Sequence, residues 1–243
     1  MSLECSRHVH VPQTSRKEEL RAILGNPTPL GVMGFILSLT PLACDLMEWR
    51  GAGGFGAATV GTAYFFGGLL MILAAVLEFI LGNTFIFVVF SSYAAFWLSL
   101  ATTLTPFYAA YTAYEPSDPT NPGFNNSYEF QTPAFFEVFM GLLCFIYLIC
   151  SIRTNLCFMV IFLALTLGFS FLAGTSWQLA NGNADLSRSL KKTGGACLFV
   201  GAMSGWYFLL VQMLASVDFP FTLPVGDLSR IIGGASDKGA KEV

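Results

Sequence analysis

The sequence predicts an all-α polytopic membrane protein with six transmembrane helices and cytosolic N- and C-termini, and three observations carry that expectation. Hydrophobic residues make up 54% of the chain and charged residues 11%, less than half the charge of an ordinary soluble domain, about 25%. A water-soluble fold of this size has no place for so much apolar surface, whereas a bilayer takes it up. Apolar runs long enough for helices of about 20 residues to cross the hydrocarbon recur at residues 30–46, 57–77, 84–104, 134–151, 156–177 and 194–215. Finally, Lys and Arg divide unevenly. Arg7, Arg16, Lys17, Arg21, Arg153, Arg230, Lys238 and Lys241 fall on the side of the N-terminus, against Arg50, Arg188, Lys191 and Lys192 on the other. Excess positive charge marks the cytosolic face, although the run from Arg188 to Lys192 pulls the other way.

The first span opens at "GNPTPLGVMGF" (25–35). Proline at the start of a helix forfeits no hydrogen bond, and its fixed φ suits the turn. Pro27 and Pro29 therefore start the helix sharply, and Asn26 is placed to cap it. The amide and the positive end of the helix dipole then meet at the membrane edge, where an anion is favoured. The span is short, and Pro41 is expected to break it.

Span two carries Gly67 and Gly68, which let a neighbouring helix approach closely, and Glu78 near its cytosolic end. "GNT" (82–84), with Asn83 and Thr84, and "TN" (Thr154, Asn155) repeat the capping pattern at spans three and five. Span three has Ser91, Ser92 and Tyr93 in mid-membrane. Those hydroxyls need partners, either by lining a narrow polar path or by bonding back to their own helix. The loop 105–133 contains no Lys or Arg and includes a glycosylation sequon at 125–127, with Tyr108, Tyr111 and Tyr114 before it as an interfacial belt. Glu137 falls near the start of span four, and Gly201 and Gly205 form a close-packing ridge in span six. The chain thus divides into a flexible tail (1–25), a transmembrane domain (26–218) and a cytosolic C-terminal tail (219–243), of which "GGASDKGAKEV" offers nothing to bury.

Spans two and three resemble spans four and five. Around the turns at Asn83 and Asn155, Val88 aligns with Val160, Phe90 with Phe162, and Tyr93 with Leu165. Either a parallel repeat or two Phe-rich helices of similar composition would produce this.

Several function classes are excluded or disfavoured. No Lys/Arg cluster has the footprint of a nucleic-acid-binding protein. Cys5, Cys44, Cys144, Cys150, Cys157 and Cys197 lack metal or disulfide spacing and read as small buried hydrophobes. His8 and His10 lie in the tail, so no histidine base stands inside the membrane and an enzyme is hard to build. No cofactor is implied, and the lipid bilayer is the one partner the composition itself requires.

Taken together, "NPTPLG", "FFGG…LEF…GNTF", "SSYAAFW" and "DFPFTLPVGDLS" (218–229) are similar to the acetate uptake transporter family, over roughly residues 26–229. That family includes bacterial succinate–acetate permeases and fungal acetate transporters or ammonia exporters. The resemblance implies a hexameric ring with one pore per protomer, moving acetate and related short carboxylates as a channel or with H+. It also implies a multi-pass protein of the plasma membrane and an apolar constriction at Phe35, Tyr93 and Leu165. Asn26, Thr28, Asn83, Thr84, Ser91, Ser92 and Glu78 complete the candidate path. Met71 stands where the family usually has glutamine, and "TPLACDLMEW" (40–49) replaces a stretch containing Asn and His. These departures leave open export of ammonia or another small neutral solute, and a diverged, non-transporting sensor.

Overall fold

In the computed structural model, which describes residues 23–110 and 127–228, helix α1 (Thr28–Leu46) begins where the two prolines put it. Asn26 Oδ1 accepts from the Thr28 N–H at 3.1 Å. Contrary to the sequence expectation, Pro41 does not break the helix, which runs continuously to Leu46. A proline in a membrane helix is tolerated when neighbours support the turn around it. Here Thr40 Oγ1 donates to the Ile36 carbonyl at 2.6 Å and accepts from Trp206 Nε1 at 3.0 Å, tying the proline turn to the last helix.

Helix α2 (Ala57–Ile80) contains a π-helical stretch, Ala63–Leu70. It ends at Gly82, whose left-handed φ of +70° lets the Asn83 N–H reach back to the Glu78 carbonyl at 2.9 Å. That closure turns the chain directly into α3 (Thr84–Leu104). Helices α4 (Ser127–Ser151), α5 (Leu156–Ala180) and α6 (Ala184–Ser216) follow. Helix α6 starts well before residue 194, where its apolar stretch begins. Hydropathy sees only the lipid-facing part, whereas the helix continues into a polar extension that carries Arg188, Lys191 and Lys192.

All six helices are long and apolar enough to span a membrane. α5 packs between α4 and α6, α6 returns against α1, and α1 leans on α2, which pairs with α3. Glycines set the closest approaches. The space where a Gly67 Cβ would stand is filled by the Trp97 ring, and Ile36 occupies the corresponding space at Gly205. The buried core therefore runs along α1, α3 and α5, while Phe65, Phe79, Phe135 and Phe139 point outward.

After α6, residues 218–228 cross the start of α5. The Leu156 N–H bonds to Gly226 O at 2.9 Å, the Leu228 N–H to Thr154 O at 3.0 Å, and Tyr207 Oη donates to Pro224 O at 2.7 Å. This strap satisfies one of the N–H groups that a helix start leaves unpaired. Tyr111, Tyr114, Asn125, Asn126, His8, His10, Cys5 and the basic residues of both tails lie outside the described residues.

Candidate functional site

The starts of α1 and α3 and the end of α2 enclose an open vestibule of about 350 Å³, lined by Leu24, Gly25, Asn26, Thr28, Leu81 and Asn83. At its edge Glu78 is fully buried. Thr28 Oγ1 donates to one of its carboxylate oxygens, and Asn83 Nδ2 donates to the other at 2.5 Å. Asn83 therefore does not cap α3 with its side chain as the sequence pattern predicts. The amide turns to the carboxylate because a buried charge demands donors more strongly than a helix end open to water. Asn155 does cap α5, accepting from the Phe158 N–H at 3.0 Å. Thr84 is exposed at the first turn of α3, outside the vestibule lining.

About two turns deeper, α1, α2, α3 and α5 converge on a small apolar cavity of about 20 Å³, room for roughly one water-sized sphere. Val32 and Phe35, Met71, Val89, Phe90 and Tyr93, and Phe158, Ile161 and Phe162 line it. Every wall is a hydrocarbon, an aromatic ring or a thioether, apart from the Tyr93 phenol. The Phe35 and Tyr93 rings meet at 5.7 Å between centroids, with both side chains buried. Met71, 1% exposed, closes the α2 side directly after the π-helical stretch. Such local widening of a helix is found mostly at functional sites. Leu165 is buried in the same core one turn past Ile161, but it is not among the cavity-lining residues. Tyr93 and Leu165 each lie nine residues past the first residue of their helices. That is about 14 Å along the axis, near the middle of a hydrocarbon layer about 30 Å thick. Phe90 and Phe162, aligned in the sequence comparison of the hairpins, both line the cavity.

Two of the three mid-span hydroxyl side chains of α3, Ser92 and Tyr93, meet partners on α4. Ser92 Oγ donates to its own helix at the Val89 carbonyl, 2.9 Å away, and accepts from Tyr147 Oη at 3.0 Å. The Tyr93 hydroxyl lies 3.0 Å from Cys144 Sγ. Ser91 is half-buried, and neither serine lines the cavity. Cys144 and Tyr147 of α4 carried no signal in the sequence beyond burial. Their role emerges only from the placement of α4 behind α3.

At the opposite end of the bundle, Glu48 follows α1 and gathers three cations from the α6 extension: Arg188 at 2.5 Å, Lys191 at 3.0 Å and Lys192 at 3.1 Å. The Arg188 guanidinium, aided by both lysines, holds the Glu48 carboxyl well below the usual carboxylate range. Asp45, nearby and buried, accepts from the Gly56 N–H at 2.6 Å. Among the described residues no group of three or more His, Cys, Asp and Glu side chains is arranged to hold a metal ion.

These features define a six-helix membrane protein with a polar vestibule at one end and a narrow aromatic core about two turns deeper. The sequence profile of the GPR1/FUN34/yaaH family matches residues 11–230, and the chain belongs to that family. It is 46% identical over 225 residues to Protein alcS of Aspergillus fumigatus, covering 90% of this chain and 81% of that protein. It is 29% identical over 208 residues to the acetate transporter protein patA of Aspergillus clavatus, covering 86% and 80% respectively. Among solved structures, the bacterial acetate channel SatP shares the fold with a TM-score of 0.64 at 24% identity, over 84% of this chain and 99% of that one. These relatives' names point to transport rather than catalysis.

Proposed function

We propose that this chain transports acetate and related short-chain mono- and dicarboxylates across the membrane. The route enters the Asn26–Thr28–Asn83 vestibule and passes the constriction at Phe35 and Tyr93, with Leu165 at the same depth. The observation that carries this reading is the narrow apolar cavity lying directly against the Phe35–Tyr93 contact, inward of a polar mouth. A volume of about 20 Å³ does not admit acetate, so passage requires these rings to move. Apolar walls suit the methyl end of the substrate and penalise a fully hydrated ion such as chloride, because a charge moved into an apolar site loses its water without replacement. Glu78 is the candidate group for accompanying H+, being a buried carboxyl at the mouth.

The reading places the vestibule and both termini in the cytosol. In support, Arg153 lies in the α4–α5 turn at the vestibule end, and the sequence holds eight Lys and Arg on that side against four on the side of Arg188, Lys191 and Lys192. The family resemblance supports a homo-oligomer, a hexamer in the plasma membrane, with the outward Phe65 and Phe139 faces available to lipid or to a neighbouring copy.

The test is acetate-carried current through purified protein in planar bilayers, well above the acid's pKa so that neutral acid does not leak across lipid. Wild type is compared with Phe35→Ala and Tyr93→Ala. A saturable current that either truncation enlarges severalfold is the expected result. If no current flows in any of them, uptake of labelled acetate under a proton gradient separates an electroneutral symporter from a protein without transport. Silence in both assays overturns the proposal.

A further inference from the structure

We propose that Cys144 is a positioning residue for Tyr93, a deliberately weak partner that holds the phenol when the constriction is empty and releases it to a passing carboxylate. This rests on the reading of Tyr93 as part of the constriction. The geometry behind it is specific. Of the nine residues lining the cavity, Tyr93 is the one that carries a hydrogen-bond donor on its side chain. Its ring is 3% exposed and faces a space too small for substrate, so an unpartnered hydroxyl there would be an orphan in hydrocarbon. The group that meets it is Cys144 Sγ, 3.0 Å away on α4 and fully buried. Ser92, one residue before Tyr93, has its hydroxyl engaged by Tyr147 and by the Val89 carbonyl.

A thiol is a poor donor and a poor acceptor. A carboxylate is a strong acceptor, and bonds to it are markedly stronger than neutral ones. We assign the phenol as the donor to sulfur in this pair, so that when a carboxylate reaches the cavity Tyr93 O–H···S is exchanged for Tyr93 O–H···⁻O–C. No proton leaves the phenol, and no bond to sulfur other than this hydrogen bond breaks. Because the resting bond is weak, little of the new bond's strength is spent in breaking it. A serine at 144 would hold the phenol more firmly and oppose the exchange. An alanine would remove the competitor.

The ranking this predicts is opposite to that of a residue that only fills space, for which serine is the gentler replacement. The experiment measures the half-saturating acetate concentration for labelled uptake into proteoliposomes under a proton gradient. Cys144→Ser and Cys144→Ala are each made in wild type and in Tyr93→Phe. Cys144→Ser is expected to raise the half-saturating concentration about threefold, the scale of a modest difference between two hydrogen bonds, and Cys144→Ala to lower it. Both shifts are expected to vanish in the Tyr93→Phe background.

A Cys144→Ser variant indistinguishable from wild type overturns the proposal. So do shifts that persist unchanged without the Tyr93 hydroxyl. Should Cys144→Ala fail to fold, the direction of the Cys144→Ser shift and its loss in Tyr93→Phe decide alone. If Tyr93→Phe itself matches wild type in both rate and half-saturation, the phenol takes no part in binding and this proposal falls, while the current through Tyr93→Ala still decides the constriction. That result is distinct from an active Tyr93 with a silent Cys144.

Discussion

Two glutamates, one at each end of the bundle, tie helices together by opposite means. Glu78 is fully buried, and its described partners are two uncharged donors, Thr28 from α1 and Asn83 from the α2–α3 turn. Glu48 keeps 19% of its side chain exposed and is met by Arg188, Lys191 and Lys192 from a single helical extension. The first arrangement leaves a carboxylate uncompensated by any cation among the described residues. The second leaves an excess of positive charge. A bundle held only for stability would favour neither, since surface ion pairs contribute little and buried charge is expensive. The contrast teaches that the vestibule end joins its helices through neutral donors on one buried carboxyl, whereas the Glu48 end is a clasp of opposite charges.

The largest expected effect comes from removing the buried member. Glu78→Ala deprives two donors of their shared acceptor and unties α1 from α2, a loss of about 2 kcal/mol. Labelled-acetate uptake should fall at least about tenfold, as expected for a displaced mouth, with Glu78→Gln intermediate. Full activity in both variants would reduce Glu78 to a replaceable cap partner. An intermediate effect is expected from the strap at the same end. Ending the chain after Val217 removes the bonds from Leu156, Leu228 and Tyr207, each worth about 1 kcal/mol. It should lower the melting midpoint in detergent by several degrees, while ending it after Leu228 should leave the midpoint unchanged. Equal midpoints would show that the strap adds nothing.

The smallest effect belongs to the clasp. Because the cations hold the folded Glu48 carboxyl below its usual range, its contribution is present above the ordinary carboxylate pKa and is lost only as pH falls through the depressed one. The difference in melting midpoint between wild type and Glu48→Gln should therefore be small and constant from about pH 8 to about pH 5, and should shrink as salt screens the exposed charges. A difference that collapses between pH 7 and about pH 5 would mean that Glu48 is titrating in the folded protein, contrary to its surroundings.

Much of this organisation was legible in the residues. The start of α1 at the two prolines, an acceptor at Asn26 for a free N–H of its first turn, and the close approaches at Gly67 and Gly205 were read from local chemistry and reappear in the structure, although Pro27 and not Asn26 holds the cap position. The alignment of Phe90 with Phe162 brought together two side chains that share one cavity. Other expectations failed because they treated residues singly. Pro41 was expected to break α1, and Trp206 on another helix instead supports its turn. Asn83 was read as a cap, and a buried carboxylate takes its amide. The cations of the α6 extension were read only for their count, and Glu48 gathers all three.

The residue order alone thus determined that the chain lives in a membrane, how many times it is able to cross, and where α1, α3 and α5 start. These follow from apolar length and from local backbone chemistry, which act over a few residues. Tertiary structure alone decided which hydroxyl meets which partner, that the Phe35 and Tyr93 rings meet in the core, and that Cys144 stands behind the phenol. Those contacts join residues far apart in the chain, and in a medium without water each polar group must take whatever donor or acceptor the packing of its neighbours brings within reach.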